Sequence, residues 1–522
     1  MKKNTALLFI IIFLGLFINL NATVRYVTQS GGQLPQNGSS WTNASSSIKN
    51  MINASSAGDE VWVAAGTYYT PSPYYYFRLK EGVKVYGGFP DPSPANPNPT
   101  MADRNWQLYQ TILKKNTSVA VPVDYVVDNS FTGLVSAITL MDGCYIDGSN
   151  FANGGIRNSG GSVTYRNCKI YNCGSSDNGG GMYNDNSAVT LEKVEITNCE
   201  ALNGSGGGMF SNNTSLEIYH SIIRNNSALS GGGITNINGN AVICKTMIQN
   251  NDAVQGGGIF NKWTEGSFDP SQYEMVLITD NEADQGGAIF NINCNLSINY
   301  ATIAYNTDEG IRHIGNPGIM RLTNTIIYAN GSGGTLLENV NNYLSSATYM
   351  TIRCCDIQGY SSSASIPNFT DLGGIVDVNP LFVSPTSQNY HLQGSSPVRD
   401  IACGNAPSLC GASDIDGQGE IGSGWAMGCY EKSTPVANNS LSFYPNPAAP
   451  KTNITITIDD ELLTEGAALI QVYNFFGTKI MEHSTNSTNF AFIAPAQTGQ
   501  YFVKAYSSNR EMVRSGLLVV GN

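Results

Sequence analysis

Charge is scarce in this chain. Asp, Glu, Lys and Arg make up 13% of its 522 residues, about half the usual share in a soluble domain. The basic residues are the scarcer kind, 27 against 39 acidic, so the formal net charge is −12. Such a chain has no electrostatic footprint for nucleic acid, and no nucleic-acid partner is expected. Histidine occurs only four times. No Cys-x-x-Cys pair and no Cys/His spacing suggests zinc. No segment carries a convincing 3.6-residue apolar stripe, which argues against a helical fold. Beyond the first 22 residues, no run approaches the roughly 18 apolar residues that cross a bilayer as a helix. No transmembrane segment is therefore expected in the mature chain.

Glycine is abundant, with 56 residues, and much of it sits in one repeated line. Between 154 and 313 the line occurs seven times: Gly-Gly-Ile-Arg-Asn (154–158), Gly-Gly-Met-Tyr-Asn (180–184), Gly-Gly-Met-Phe-Ser (207–211), Gly-Gly-Ile-Thr-Asn (232–236), Gly-Gly-Ile-Phe-Asn (257–261), Gly-Ala-Ile-Phe-Asn (287–291) and Glu-Gly-Ile-Arg-His (309–313). The third line reads its Asn one place late, at Asn212. The last small residue of each run recurs after 26, 27, 25, 25, 30 and 22 residues. A second column keeps the same period: Cys173, Cys199, Asn226, Asn251, Asn281, Asn306 and Asn330. Each of these follows an Ile by three places, from Ile170 to Ile327. Within a repeat the pattern alternates, as in Leu216/Ile218 and Leu296/Ile298, which is the strand period.

One repeat of this length cannot bury its own apolar face, but stacked neighbours can. The expected fold is all-β: a right-handed parallel β-helix solenoid followed by a small C-terminal β-sandwich. Each coil should supply three short strands. The Cys/Asn column should form a ladder in which each amide donates to one coil and accepts from the other. The glycines should mark corners of positive φ or close approach. Ala288, in place of a glycine, implies that its position needs smallness more than a left-handed backbone.

These residues carry resemblances. Ile223 to Ile234 resembles the glycine-rich repeat of the chlamydial polymorphic outer-membrane proteins. More broadly, 24 to 431 resembles the pectin-lyase-like β-helix superfamily. The series Asp377-Val378-Asn379-Pro380-Leu381-Phe382, Tyr390-His391-Leu392, Asp414-Ile415-Asp416-Gly417 and Met427-Gly428-Cys429-Tyr430-Glu431 is similar to the closing segment of secreted choice-of-anchor surface proteins. It should cap the open coil. Residues 441–522 resemble the type A sorting domain of the type IX secretion system. The matching residues include Tyr444-Pro445-Asn446-Pro447, Gly477, Gly499 and Tyr501. That resemblance implies passage through the type IX secretion machinery, removal of the domain, and attachment to surface lipopolysaccharide.

The domain plan is then a signal peptide at 1–22, a parallel β-helix at 23–374, a closing segment at 375–432, a linker at 433–440 and a sorting domain at 441–522. The signal reading rests on Lys2 and Lys3, the apolar stretch Ala6 to Leu20, and the small-residue cleavage site Leu20-Asn21-Ala22. It implies export to the periplasm, and the sorting-domain resemblance implies passage from there to the outer cell surface.

All 11 cysteines lie between Cys144 and Cys429, and export permits disulfides. Cys403, Cys410 and Cys429 are the better candidates, because the closing segment is irregular. Cys173 and Cys199, stacked in one column, are either a bridge or two small ladder residues. An odd count leaves at least one thiol free or paired between chains.

Three functional readings compete. The first is a non-catalytic, adhesin-like surface protein. The second is a lyase or hydrolase of acidic glycans. The paired-Asp, Gly-His-Gly and Arg-Ile-Lys runs of polygalacturonases are absent, as is the Arg-rich motif of pectate lyases. One constellation remains: Asp252, Asp280, Glu282, Asp284, Asp308 and Glu309 recur at one corner of three successive coils. Stacked like charges need screening, and Ca²⁺ with hard oxygen ligands would supply it. The alternative is a solvated acidic edge. Arg312 and His313 follow and could serve a lyase, or fill the places of Arg157 and Asn158. The third reading is glycan contact without cleavage, through Tyr68, Tyr69, Tyr74, Tyr75, Tyr76 and Phe77, unless these rings only pack the first coils.

Overall fold

The computed structural model describes residues 22–70, 76–116, 125–133, 136–149, 154–264, 270–315, 318–342, 350–360, 369–404, 406–417, 425–430, 441–444, 449–458, 463, 467–474, 479–496, 499–506 and 513–520. The chain divides into two compact units, Met1–Lys432 and Ser433–Asn522.

The first unit is a parallel β-helix. Its strands stack into parallel sheets of thirteen, eleven, nine and five strands. One coil shows the path. Ala188–Glu192 lies in the thirteen-stranded sheet and Glu195–Thr197 in the eleven-stranded one. Glu200–Ser205 lies in the five-stranded sheet and Met209–Asn212 in the nine-stranded one. The middle coils thus carry four strands where three were expected. The added strand is short and its inward residues are Ala201, Ala228, Ala253 and Ala283, too small to register as an apolar strand in sequence.

The Ile column from Ile170 to Ile327 is fully buried in the bore. Beside it the asparagines link coil to coil. The side-chain Nδ2 of Asn226 donates to Asn251 Oδ1 at 3.0 Å. The same bond joins Asn251 to Asn281, Asn281 to Asn306, and Asn306 to Asn330, each at 2.9 Å. Asn330 extends the series to Asn339 at 2.9 Å. Each amide also donates to a backbone carbonyl of the preceding coil, as Asn281 does to Ile248 O at 2.9 Å. At the head of the column the Cys199 N–H donates to Asn226 Oδ1 at 2.9 Å. Cys173 and Cys199 are both buried free thiols.

The residue before each ladder position sits in the left-handed region: Asn172, Asn198, Asn225, Asn250, Asp280, Tyr305 and Ala329 have φ between 53° and 57°. Asn and Asp tolerate that region best among residues with a side chain. The paired Asn-Asn of the sequence is therefore a corner followed by a ladder rung. The glycine runs divide their work similarly. Gly206, Gly231, Gly256 and Gly286 have φ of +73°, +63°, +64° and +63°. Two places on, a Cβ on Gly233 would lie 2.6 Å from Gly258 O. That column demands close approach rather than positive φ, and Ala288 falls in it.

A second polar column lines the bore in the nine-stranded sheet. Asn129 donates to Asn158 Oδ1 at 2.9 Å and Asn158 to Asn184 Oδ1 at 2.8 Å. Asn184 donates to Ser211 Oγ at 3.2 Å. Ser211, not Asn212, occupies the register, because Ser211 pairs with Asn184 and Asn236 while Asn212 faces outward beside Asp185.

The bore is plugged at both ends. The helix Ile48–Ala54, capped by Ser47, buries Ile48, Met51 and Ile52. Seven residues are too few for a helical period to show in sequence. At the other end Leu336, Tyr360, Phe369 and Ile375 pack on the main core.

Only the start of the closing segment, at Ile375, helps to cap the coil. The rest turns back and runs along the flank of the eleven-stranded sheet, where Phe382, Tyr390, Leu392, Val398, Met427 and Tyr430 cover Leu277, Ala304 and Ile326. The outward column of that sheet explains why. It begins polar, with Lys169 and Glu195, then becomes Ile222, Met247, Leu277, Thr302 and Ile326. Burying that face stabilises the segment there. Two disulfides fix it, Cys244–Cys410 and Cys354–Cys403, with Cα separations of 5.7 and 5.8 Å. Cys429, expected to be bridged, is instead a buried free thiol. Its place is a packed cluster whose backbone N–H donates to Thr302 Oγ1 at 3.2 Å.

Where this segment leaves the coil, Asp356 is fully buried. Its Oδ1 accepts from Val378 N–H at 3.0 Å, and its Oδ2 has no protein partner. Burial, with Asp377 adding to it, pushes this carboxyl up to about 7.

The second unit holds antiparallel sheets of three and four strands. Ile454, Ile456, Ile470, Val472, Tyr501, Val503 and Leu518 form its core.

Two expectations follow. Asn281→Ala strands hydrogen-bond partners on both neighbouring coils and should lower stability by about 3 kcal/mol in denaturant titration. An unchanged midpoint would show that the ladder is not needed. For Asp356, a raised carboxyl pKa means that stability is full below the unfolded value near 4 and is lost as pH rises to about 7. Asp356→Asn should flatten that fall, by on the order of 4 kcal/mol between pH 4 and pH 8. Equal pH dependence in variant and parent would refute it.

Candidate functional site

One coil is short. The step from 288 to 310 is 22 residues, and the five-stranded sheet ends with Glu282–Gln285. The next coil passes from Thr302–Ala304 to Ile311–Ile314 through a turn instead of a strand. Thr307 stands in for the lost strand. Its hydroxyl accepts from Ala283 N–H at 2.8 Å and meets Ala283 O at 3.2 Å. The missing strand leaves a groove of about 620 Å³.

Ala283, Asp284, Tyr305, Asn306, Thr307, Asp308, Ala329, Gly331, Ser332 and Glu338 form its walls. Tyr305 is 38% exposed and offers a ring to solvent. The ring is backed by Tyr390 and Phe382, with centroids 5.8 and 6.4 Å away. Asp308 has a left-handed backbone, φ 53°. Gly286 N–H lies 3.3 Å from its Oδ2. Burial, and then the neighbouring Glu309, push the Asp308 carboxyl up to about 6. On the far wall Glu338 accepts from Thr335 and Gly333, which hold its carboxyl below the usual range. Among the described residues that line the groove there is no lysine or arginine.

The six carboxylates of the sequence pattern do not converge. Asp252 and Glu282 are register partners on adjacent strands and are exposed to solvent. Asp280 points to the closing segment, where Tyr390 OH donates to it at 2.6 Å. Burial raises its pKa. Glu309 is buried, bonded to Arg312 at 2.7 Å and to Asn341 at 3.0 Å. Only Asp284 and Asp308 reach the groove. Among the described residues no group of three or more His, Cys, Asp or Glu side chains is placed to hold a metal. The residues present therefore do not fit the Ca²⁺ expectation. The physical reason is local: a turn residue, a corner residue and a strand residue of successive coils face three different ways.

Arg312 lies over the Phe290 ring at 5.6 Å. His313 is fully buried in the bore, where Asn291 donates to its Nδ1 at 2.9 Å. Burial lowers its pKa, so it is a neutral member of the second polar column and not a solvent-facing base. In the aromatic cluster Tyr68 and Phe77 are core residues, whereas Tyr69 is 56% exposed. Tyr76 is half-buried beside Arg78, and Tyr74 and Tyr75 lie outside the described residues. Sequence reading missed the groove itself, although the short step of 22 residues was its signal.

In the second unit Tyr444 ends the strand Ser442–Tyr444. Gly499 begins Gly499–Tyr506, and the Tyr501 ring is buried in the core. Pro445, Asn446, Pro447 and Gly477 lie outside the described residues.

Comparison with known proteins agrees on the second unit. Residues 442–518 match the family described as the secretion system C-terminal sorting domain. No curated protein matches the chain. Among solved structures, the crystal structure of pectate lyase Pel9A is similar at 13% identity and a TM-score of 0.42, covering 78% of this chain and 96% of that one. The chain is thus a parallel β-helix protein that carries a type IX secretion sorting domain at residues 442–518.

Proposed function

We propose that this exported protein is displayed at the cell surface, by way of a signal peptide at 1–22 and the periplasm, and there contacts glycans through the groove beside Asp308. The groove itself carries this reading. It joins one exposed aromatic ring, Tyr305, to three carboxylates, Asp284, Asp308 and Glu338. A sugar presents an apolar face to a ring and hydroxyl donors to carboxylates. The sign of the charge selects the ligand. A uronate would meet like charge without a neutralising arginine, since Arg312 is engaged by Glu309. The ligand is therefore a neutral glycan, and the acidic-glycan reading is set aside. Attachment to lipopolysaccharide through the sorting domain would keep the groove at the outer surface.

A second reading has one specific observation behind it. Asp308, whose carboxyl is pushed up to about 6 by burial and then by Glu309, shares the groove with Asp284. An acid and a base carboxyl in one cleft are the groups that glycoside hydrolysis needs.

Glycan arrays with the purified protein should show neutral oligosaccharide binding, weakened about tenfold by Tyr305→Ala. Absence of binding across the array would sink the proposal. New reducing ends that vanish in Asp308→Asn and fade above pH 6 would instead establish the hydrolase. Deleting residues 441–522 should leave the chain in the periplasm. Normal surface display of that truncation would refute dependence on the sorting domain.

A further inference from the structure

The closing segment meets the coil along one corner, between the thirteen- and eleven-stranded sheets. Residues Cys244, Glu274, Asn299, Thr323 and Arg353 are register partners there on five successive strands. Cys244 and Cys354 mark the two ends of that corner, about 19 Å apart at the rise of a parallel stack. Between the two disulfides, buried Glu274 accepts from Leu409 N–H at 2.8 Å and Cys410 N–H at 3.0 Å. Asn299 Nδ2 donates to its other oxygen at 3.0 Å. Asn324 donates to Cys403 O at 3.1 Å and accepts from Cys403 N–H at 2.7 Å. Trp425 packs on Met275 and Tyr300 in the same corner. These polar contacts bring the segment's cysteines to their partners without any bond between sulfurs.

The four bridged cysteines differ from the seven free ones. All seven free thiols are buried. Cys403 and Cys410 are half-buried on the closing segment, whereas Cys244 and Cys354 are buried in the coil. Exchange can begin at these two less buried cysteines.

We propose that the closing segment is a redox latch, docked by Glu274 and Asn324, locked by the two disulfides, and setting the wall of the groove through Tyr390 and Phe382. Each lock forms by thiol–disulfide exchange with an oxidant of the dithiol-oxidase class. The Cys410 thiolate attacks one sulfur of the oxidant's disulfide and makes a mixed disulfide. The Cys244 thiolate then displaces that sulfur. Two electrons leave the cysteines, and the oxidant departs as a dithiol carrying both protons. Cys403 and Cys354 follow the same course. Such oxidants act outside the reducing cytoplasm, so the latch locks only after export has begun. Its link to the groove rests on the glycan reading, because Tyr390 and Phe382 back the Tyr305 ring. The lock itself does not depend on that reading.

The test uses the full exported chain, oxidised and then treated with a mild water-soluble phosphine. Two readouts are followed: protease cleavage at sites from 385 to 417, and affinity for whichever neutral oligosaccharide the oxidised chain binds. Reduction should raise cleavage at least tenfold and weaken binding several-fold, and oxidised glutathione should reverse both. The pairs Cys244→Ser/Cys410→Ser and Cys354→Ser/Cys403→Ser should each give part of the effect without a reductant. Unchanged cleavage on reduction overturns the latch. Faster cleavage with unchanged affinity overturns its coupling to the groove. A chain that binds no oligosaccharide in either state overturns the glycan reading, while the cleavage rates still decide the latch.

Discussion

The structure depends on one requirement: every coil must satisfy its polar groups on the coil beside it. Backbone pairing does this along the strands, and the buried asparagines do it where the strands stop. A ladder amide such as Asn281 uses both oxygen and nitrogen on its neighbours. A slip of one residue would break every such bond and turn the Ile column out of the bore. Register is thus fixed twice, once by apolar burial and once by hydrogen bonding. The price in backbone strain is kept small at five of the seven ladder corners, where Asn or Asp takes the positive φ; Tyr305 and Ala329 are the exceptions.

What could be read from the sequence follows from this. The two columns of the repeat, the bore residues and the sorting domain are periodic or local signals, and they were legible. The C-terminal family was read from local motifs at 441–522, and residues 442–518 match it. The route of the closing segment was not legible, because its contacts join residues far apart in the chain. Cys244 and Cys410 are 166 residues apart, and Cys354 and Cys403 are 49 apart. The outward column Ile222, Met247, Leu277 and Ile326 held the hint, since a solvated strand face has little reason to be apolar.

The candidate site was half legible. Sequence spacing placed six acidic residues at one corner, and two of them, Asp284 and Asp308, line the groove. Spacing alone cannot say where a carboxylate points. Asp280 precedes a ladder residue and takes the corner conformation, so it faces the closing segment. Glu309 lies near the start of the next strand and turns to Arg312 and Asn341. Asp284 and Asp308 are left on either side of the gap. Asp308 and Glu309 are neighbours in the chain and still face different ways, because a step of one residue is enough to redirect a side chain.

The short coil has a wider consequence. In most folds a cleft is built by adding loops, each of which must find its own stability. Here a cleft arises by subtraction, and Thr307 seals the exposed sheet edge with a single hydroxyl. Past Gln285 the other three sheets continue without the fourth, so the stack does not need that strand in every coil. A solenoid of this kind can therefore relocate a recognition site along its length by changing the residue count of one turn.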